Sequence, residues 1–234
     1  MRSPDPSNWF EVHDGAEDLE RQTLAFARAL VHLLDRALDA IVFGDGRLAD
    51  EVVATAGDRD RECQRLQEGV MSALGDHPPA GELQTLAALL HIVRGAERIS
   101  AQCLKIATIV PDVAGGRTSA IFSDLVDPAA RVSVSELWLA EQSFAKRDVD
   151  LAHEVARADV ELRRRSREIY RAALEPANGD TVSPVSMAAF LAASYLERIG
   201  DIAVDLAEQT VIVVNGLFRE VDDVPAPQPA PATV

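Results

Sequence analysis

The chain has 234 residues, a formal net charge of −15, 47% hydrophobic residues and only 5% aromatic ones. That charge argues against nucleic acid or an anionic membrane surface as a partner, because both require a clustered basic face. It suits metal cations or basic protein patches, or serves solubility alone, and the Ala, Leu, Arg and Glu content favours helices over strands.

In chain order, 1–15 is polar and proline-containing, and reads as a loosely held leader without the apolar run of a signal peptide. Ala16 to Phe43 places Leu19, Phe26, Leu30, Leu33, Leu34, Leu38 and Ile41 at helical spacing, giving a first helix with a broad apolar face. Gly44-Asp45-Gly46 stops it. A second helix is expected from Arg47 to Leu74, closed by Gly75 and Pro78-Pro79. A third runs from Ala80 to Val110, ahead of Pro111 and Gly115-Gly116. The fourth covers Thr118 to Lys146 and contains Pro128. Asp127-Pro128 is either an N-cap with Pro at the first helical position or a kink in one longer helix. The fifth covers Asp148 to Leu174, and the sixth runs from Pro184 to Phe218. The Pro- and Ala-rich end cannot build a core and is expected to be disordered.

No stretch approaches the roughly 18 apolar residues of a membrane span, so direct membrane insertion is not expected. Cys63 and Cys103 stand outside any CxxC pattern and read as reduced, packed thiols of a cytoplasmic protein.

The strongest signal is an internal repeat. Asp45 to Val52 and Asp148 to Val155 both read D-x-x-L-A-x-E-V, 103 residues apart, and Glu97-Arg98-Ile99 recurs as Glu197-Arg198-Ile199, 100 residues apart. Asp45 and Asp148 fit the N-cap role. Long helices with short joins imply antiparallel neighbours. The expectation is an all-α fold of two tandem three-helix bundles related by duplication: leader 1–15, first repeat 16–112, second repeat 113–218, tail 219–234.

The sixth helix carries Glu197, Asp201 and Asp205 at i, i+4, i+8, on one face, with Glu208 beyond them. Like charges so spaced repel, which suggests a counter-cation; oxygen ligands suit magnesium, manganese or iron. The bland reading is a solvated acidic face paired with arginines. A di-iron bundle enzyme would need Glu-x-x-His pairs, and the sequence has none. Phosphate-binding loops, dinucleotide fingerprints and hydrolase motifs are equally missing. Trp138 reads as core.

Tyr195-Leu-Glu-Arg-Ile-Gly-Asp201-Ile-Ala-Val-Asp-Leu-Ala-Glu208 closely resembles the signature helix of the PhoU family, regulators of bacterial phosphate uptake. His77-Pro-Pro-Ala-Gly-Glu-Leu83 resembles that family's turn into its third helix. The resemblance covers Asp18 to Gly216. It implies a non-enzymatic, often dimeric regulator that bridges the phosphate transporter's ATPase and a sensor histidine kinase and damps the phosphate-starvation response. It also implies a divalent metal (iron, manganese, magnesium or zinc) held by paired E/D-x-x-x-D motifs. Carried over, the second-repeat set is Asp159, Glu197 and Asp201, helped by Asp205; Arg163 stands where the family's second acid would be. The first-repeat set is Asp60 and Glu97, with Gln64 and Ala101 at the partner positions, and Asp58 and Glu62 give an alternative register. An arginine facing the acids would satisfy them in a metal's place, leaving the acidic face for docking. A PhoU-like domain serving another transporter or pathway and a carboxylate-bridged metal protein or enzyme are the other readings.

Overall fold

A computed structural model describes residues 15–110, 120–175 and 183–215. Among the described residues the fold has six α-helices: α1 (Ala16–Phe43), α2 (Gly46–Gly75), α3 (Ala80–Thr108), α4 (Asp127–Lys146), α5 (Val149–Leu174) and α6 (Pro184–Asn215), with a π-helical turn, Phe122–Val126, leading into α4. No strand occurs among the described residues. The tail, the leader apart from Gly15, and the expected boundary between repeats at 112/113 lie outside the described residues.

Helix α1 forms where the apolar stripe predicts it, burying Leu19, Phe26, Leu30, Leu34, Leu38 and Ile41. It ends because Gly44 takes up the left-handed conformation (φ 65°), which lets the Asp45 amide donate back to the Ala40 carbonyl at 2.9 Å. At the same point in the second repeat Arg147 has φ 55°, and the Asp148 amide donates to Ser143 O at 2.9 Å. A side chain at that φ carries a steric penalty that glycine avoids. Arg147 recovers part of it: both Glu20 oxygens accept from its guanidinium at 2.8 Å, and the group stacks 4.2 Å over the Phe144 ring.

The two expected N-caps form. Asp45 Oδ1 accepts from the Leu48 amide at 3.0 Å, and Asp148 Oδ1 from the Leu151 amide at 3.1 Å. Each starts the helix that runs antiparallel to its predecessor.

Pro128 resolves as an internal feature of one continuous helix. Asp127 has helical φ and ψ (−60°, −46°) and its amide donates five residues back, to Phe122 O. Proline offers no N–H to the residue 124 carbonyl and crowds it; the wider π turn just ahead accommodates the missing bond.

Helices α1, α2 and α3 pack on one another, as do α4, α5 and α6, and α3 against α6 and α1 against α4 join the repeats. One apolar core runs through both. Along the antiparallel α1–α4 seam, Arg28 donates to Glu141 at 2.7 Å and Arg131 to Asp35 and Asp39 at 3.0 and 2.8 Å. Trp138 lies between these rungs and is 48% exposed, not part of the core. It stands 103 residues after Asp35, another exposed-seam position, so its place in the repeat is a surface place. Both cysteines are free and buried, and burial pushes their thiols up, to about 11 for Cys63 and about 12 for Cys103.

Candidate functional site

The repeat supplies a register for judging the acidic residues. Ala49, Val52, Cys63 and Leu66 on α2 are buried, and 103 residues later Ala152, Val155, Ser166 and Ile169 are buried on α5. In that register Asp159 stands opposite Ala56, and Asp60 stands opposite Arg163. The pairing of Asp60 with Asp159 is thus one helical turn out. Residues four apart share a face, so the spacing of acids alone did not reveal the slip.

The structure brings Asp159 and Asp201 together through Arg163. Arg163 Nε donates to Asp159 Oδ2 at 2.6 Å, and its Nη2 donates to Asp201 Oδ1 at 2.7 Å. Asp159 on α5 is buried, while Asp201 on α6 is exposed. The hydrogen bond it donates to Asp159, with the charges of Asp159, Asp201 and Glu197, holds the guanidinium above its usual range. Glu197 sits one turn before Asp201, and its Oε2 accepts from the Tyr170 hydroxyl at 2.7 Å. Asp205 is directed elsewhere. Its carboxylate takes Arg98 at 3.3 Å, beside a cavity of about 500 Å³ between α3 and α6.

In the first repeat Glu97 is exposed and accepts from Gln67 Nε2 at 3.2 Å. Gln67 and Tyr170 are 103 residues apart, so both Glu-Arg-Ile turns are tied to the preceding helix at one register position. Asp60 is exposed and lies beside Cys63, on whose thiol its charge acts. Asp58 pairs with Arg61, and Glu62 with Arg59. Among the described residues, the first repeat gathers no carboxylate group comparable to the second.

A residue that the motif did not point to completes the second-repeat site. Glu136 on α4 is wholly buried, and neither carboxyl oxygen has a hydrogen-bond partner among the described residues. Asp159 Oδ1 is equally unpartnered. Both face Gly200: a Cβ there would lie 3.0 Å from Asp159 Oδ1, 3.2 Å from Glu136 Oε2 and 2.9 Å from Leu162 Cδ2. The glycine of Glu-Arg-Ile-Gly-Asp is therefore what lets two carboxyl groups approach the α6 backbone. Burial, followed by the charge of Asp159, pushes the Glu136 carboxyl from 4.5 up to about 9; Arg163 pulls the other way. At neutral pH Glu136 is a neutral acid, with an O–H to donate. A signal for it existed in the sequence: Glu136 interrupts the small and apolar stripe Ala129, Ser133, Ala140, Phe144. Its counterpart 103 residues earlier is Leu33, and the counterparts of Asp159 and Gly200 are Ala56 and Ser100, so the first repeat fills the same place with packing.

Chemically the site is a set of carboxyl groups from three helices around one guanidinium, with a phenol at its edge. No group of three or more His, Cys, Asp or Glu among the described residues is arranged to hold a metal ion. The acids the resemblance assigns to a metal are directed to Arg163, Tyr170 and Arg98, so the geometry does not fit that metal.

An all-α protein made of a repeated three-helix unit, with a carboxylate at equivalent helix turns hydrogen-bonded to the preceding helix, is the class that fold and site define. The chain belongs to the PhoU family: a model of the PhoU domain matches residues 24–110 and 129–210, once in each repeat. A phosphate-specific transport system accessory protein PhoU homolog from Burkholderia sp is 26% identical over 210 residues, covering 86% of this chain and 87% of the relative. One of the same description from Clostridium acetobutylicum is 20% identical, covering 88% and 95%. Among solved structures, the phosphate transport system regulatory protein PhoU from Streptococcus pneumoniae superposes with a TM-score of 0.79 at 15% identity, covering 87% of this chain and 97% of that one. PhoU from Pseudomonas aeruginosa gives 0.78 at 25% identity, covering 86% and 97%.

Proposed function

We propose that the chain is a non-enzymatic regulator of phosphate transport, acting in the cytoplasm as an adaptor between the ATPase of a phosphate ABC transporter and a sensor histidine kinase that reports phosphate supply. The observation that carries this reading is the match of the PhoU domain to both repeats, together with relatives described as accessory proteins of phosphate-specific transport over nearly their full length. The site agrees with a binding role. Its acids are held in pairs by Arg163, Tyr170 and Arg98, which orients charge on a rigid face without leaving a nucleophile beside a base. No helix of the described residues is long and apolar enough to cross a membrane, so a membrane-bound partner is reached by docking. The chain is expected to work as a homodimer, which light scattering reads as twice 25.3 kDa.

The test is co-elution of the purified chain with the ATPase of a phosphate ABC transporter and with the cytoplasmic portion of a phosphate-responsive sensor histidine kinase from the same cell. Complexes with both support the adaptor. A complex with neither refutes it, and a complex with the ATPase alone reduces the role to transporter control. Glu197→Lys should fold normally, because Glu197 is only half-buried, and should weaken these complexes. Undiminished binding would remove the second-repeat face from the docking surface.

A further inference from the structure

We propose that Arg163 is a tethered cation that stands in for a metal ion in the second repeat, so that the α5–α6 lock of this chain is permanent and independent of metal supply. The geometry is that of a bridging ion. One planar guanidinium reaches two carboxylates on two helices, Asp159 at 2.6 Å and Asp201 at 2.7 Å, by separate N–H groups. Arginine is suited to this because its donors diverge in a fixed plane and it stays charged at any physiological pH.

What lies behind the guanidinium shows that the place is built for a cation rather than being an ordinary surface pair. Asp159 is 7% exposed and Glu136 is 0% exposed. Asp159 Oδ1, the oxygen that does not take Arg163, and both oxygens of Glu136 have no partner among the described residues, and Asp159 Oδ1 and Glu136 Oε2 converge on the gap left by Gly200. Buried carboxyl oxygens without partners are costly, and three of them together mark a demand that Arg163 meets from one side only. The first repeat provides the contrast. Where Arg163 stands the first repeat has the exposed Asp60, and there the buried carboxyls are replaced by Leu33 and Ala56, so neither the cation nor the buried acids remain. The arginine occurs with the buried acids, and the repeat that lacks one lacks the other.

Two consequences separate this proposal from a simple surface salt bridge. Removing the arginine leaves the charges of Asp159 and Asp201 without this counter-charge, beside the neutral carboxyl of Glu136, and with a direct opening to solvent, since the Arg163 side chain is 49% exposed. A divalent cation with oxygen preference then has an entry path and ligands from three helices. Keeping a tethered charge preserves the original behaviour.

The experiment uses the full chain, purified without chelator. Elemental analysis and calorimetric titration with Mn²⁺ alone are run on the wild type, Arg163→Ala and Arg163→Lys, with thermal unfolding of each in EDTA and in Mn²⁺. The wild type and Arg163→Lys are expected to carry no stoichiometric metal and to melt at the same temperature in both conditions. Arg163→Ala is expected to melt several degrees lower in EDTA, to regain that loss in Mn²⁺, and to bind roughly one ion per chain; Asp159→Asn added to it should abolish the gain. Tightly held metal in the wild type overturns the proposal. So does an Arg163→Ala chain that folds, melts like the wild type and ignores Mn²⁺. If Arg163→Ala fails to fold, Arg163→Lys still decides: it is expected to remain metal-indifferent, and Mn²⁺-dependent melting of that variant contradicts the tethered-cation account.

Discussion

Glu136→Gln should stabilise the protein, and by an amount that grows with pH. In the unfolded chain the carboxyl ionises at its ordinary value of 4.5, while burial and Asp159 move it to about 9 in the fold. Between these values the folded state binds a proton that the unfolded state has released, so stability falls as pH rises. Each pH unit corresponds to about 1.4 kcal/mol. At pH 7 the group therefore costs on the order of 3 kcal/mol relative to acid conditions, and the ceiling near pH 9 is about twice that. Glutamine has the shape of the neutral acid, keeps a donor as the protonated carboxyl does, and does not titrate. The variant should match the wild type near pH 4, exceed it by about 2–4 kcal/mol at pH 7, and diverge further by pH 9. Urea unfolding followed by far-ultraviolet circular dichroism across pH 4–9 reads this as a widening gap between midpoints. A constant gap across that range would refute the reasoning, because it would mean that Glu136 ionises alike in both states.

Gly200→Ala should destabilise the fold by about 1–3 kcal/mol, since its Cβ would meet Leu162, Asp159 and Glu136 at 2.9–3.2 Å; Gly57→Ala, with open space around it on exposed α2, should gain up to about 1 kcal/mol, and equal effects at the two sites would contradict the close approach. Asp45→Ala and Asp148→Ala should each cost about 1 kcal/mol in urea midpoints by removing matching N-caps, and a loss at one site only would show that the caps are not equivalent. Tyr170→Phe should cost about 1 kcal/mol through the lost bond to Glu197, whereas an unchanged midpoint would assign that bond no net weight.

Much of the architecture was legible in the chain because it follows from local rules. The apolar stripe of α1, the stop at Gly44 and the caps at Asp45 and Asp148 all fell where spacing and chemistry put them. Pro128 was legible only as a choice between two outcomes, because the decision rests on a π turn that no residue pattern announces. The site was harder. The Glu197 and Asp201 spacing was visible, but which cation each acid meets depends on how α5 lies against α6, and Asp205 turned out to face Arg98 across the repeat boundary. The four-residue slip between Asp60 and Asp159 was invisible while only one helix face was considered; the burial pattern of α2 and α5 settles it. Glu136 escaped notice because it belongs to no acidic motif. Its importance comes from three helices converging on Gly200, which is a tertiary fact. Trp138 reads as core in the sequence, but it is exposed on α4.

The central claim, that this chain restrains the phosphate-starvation response, is tested most directly by a transcriptional reporter of that response in cells lacking the chain, grown with ample phosphate. The account predicts that the reporter is switched on in the deleted cells, is returned to its low level by the wild-type chain, and is returned incompletely by Glu197→Lys. A reporter that stays low without the chain, and still rises normally when phosphate is withdrawn, would contradict it.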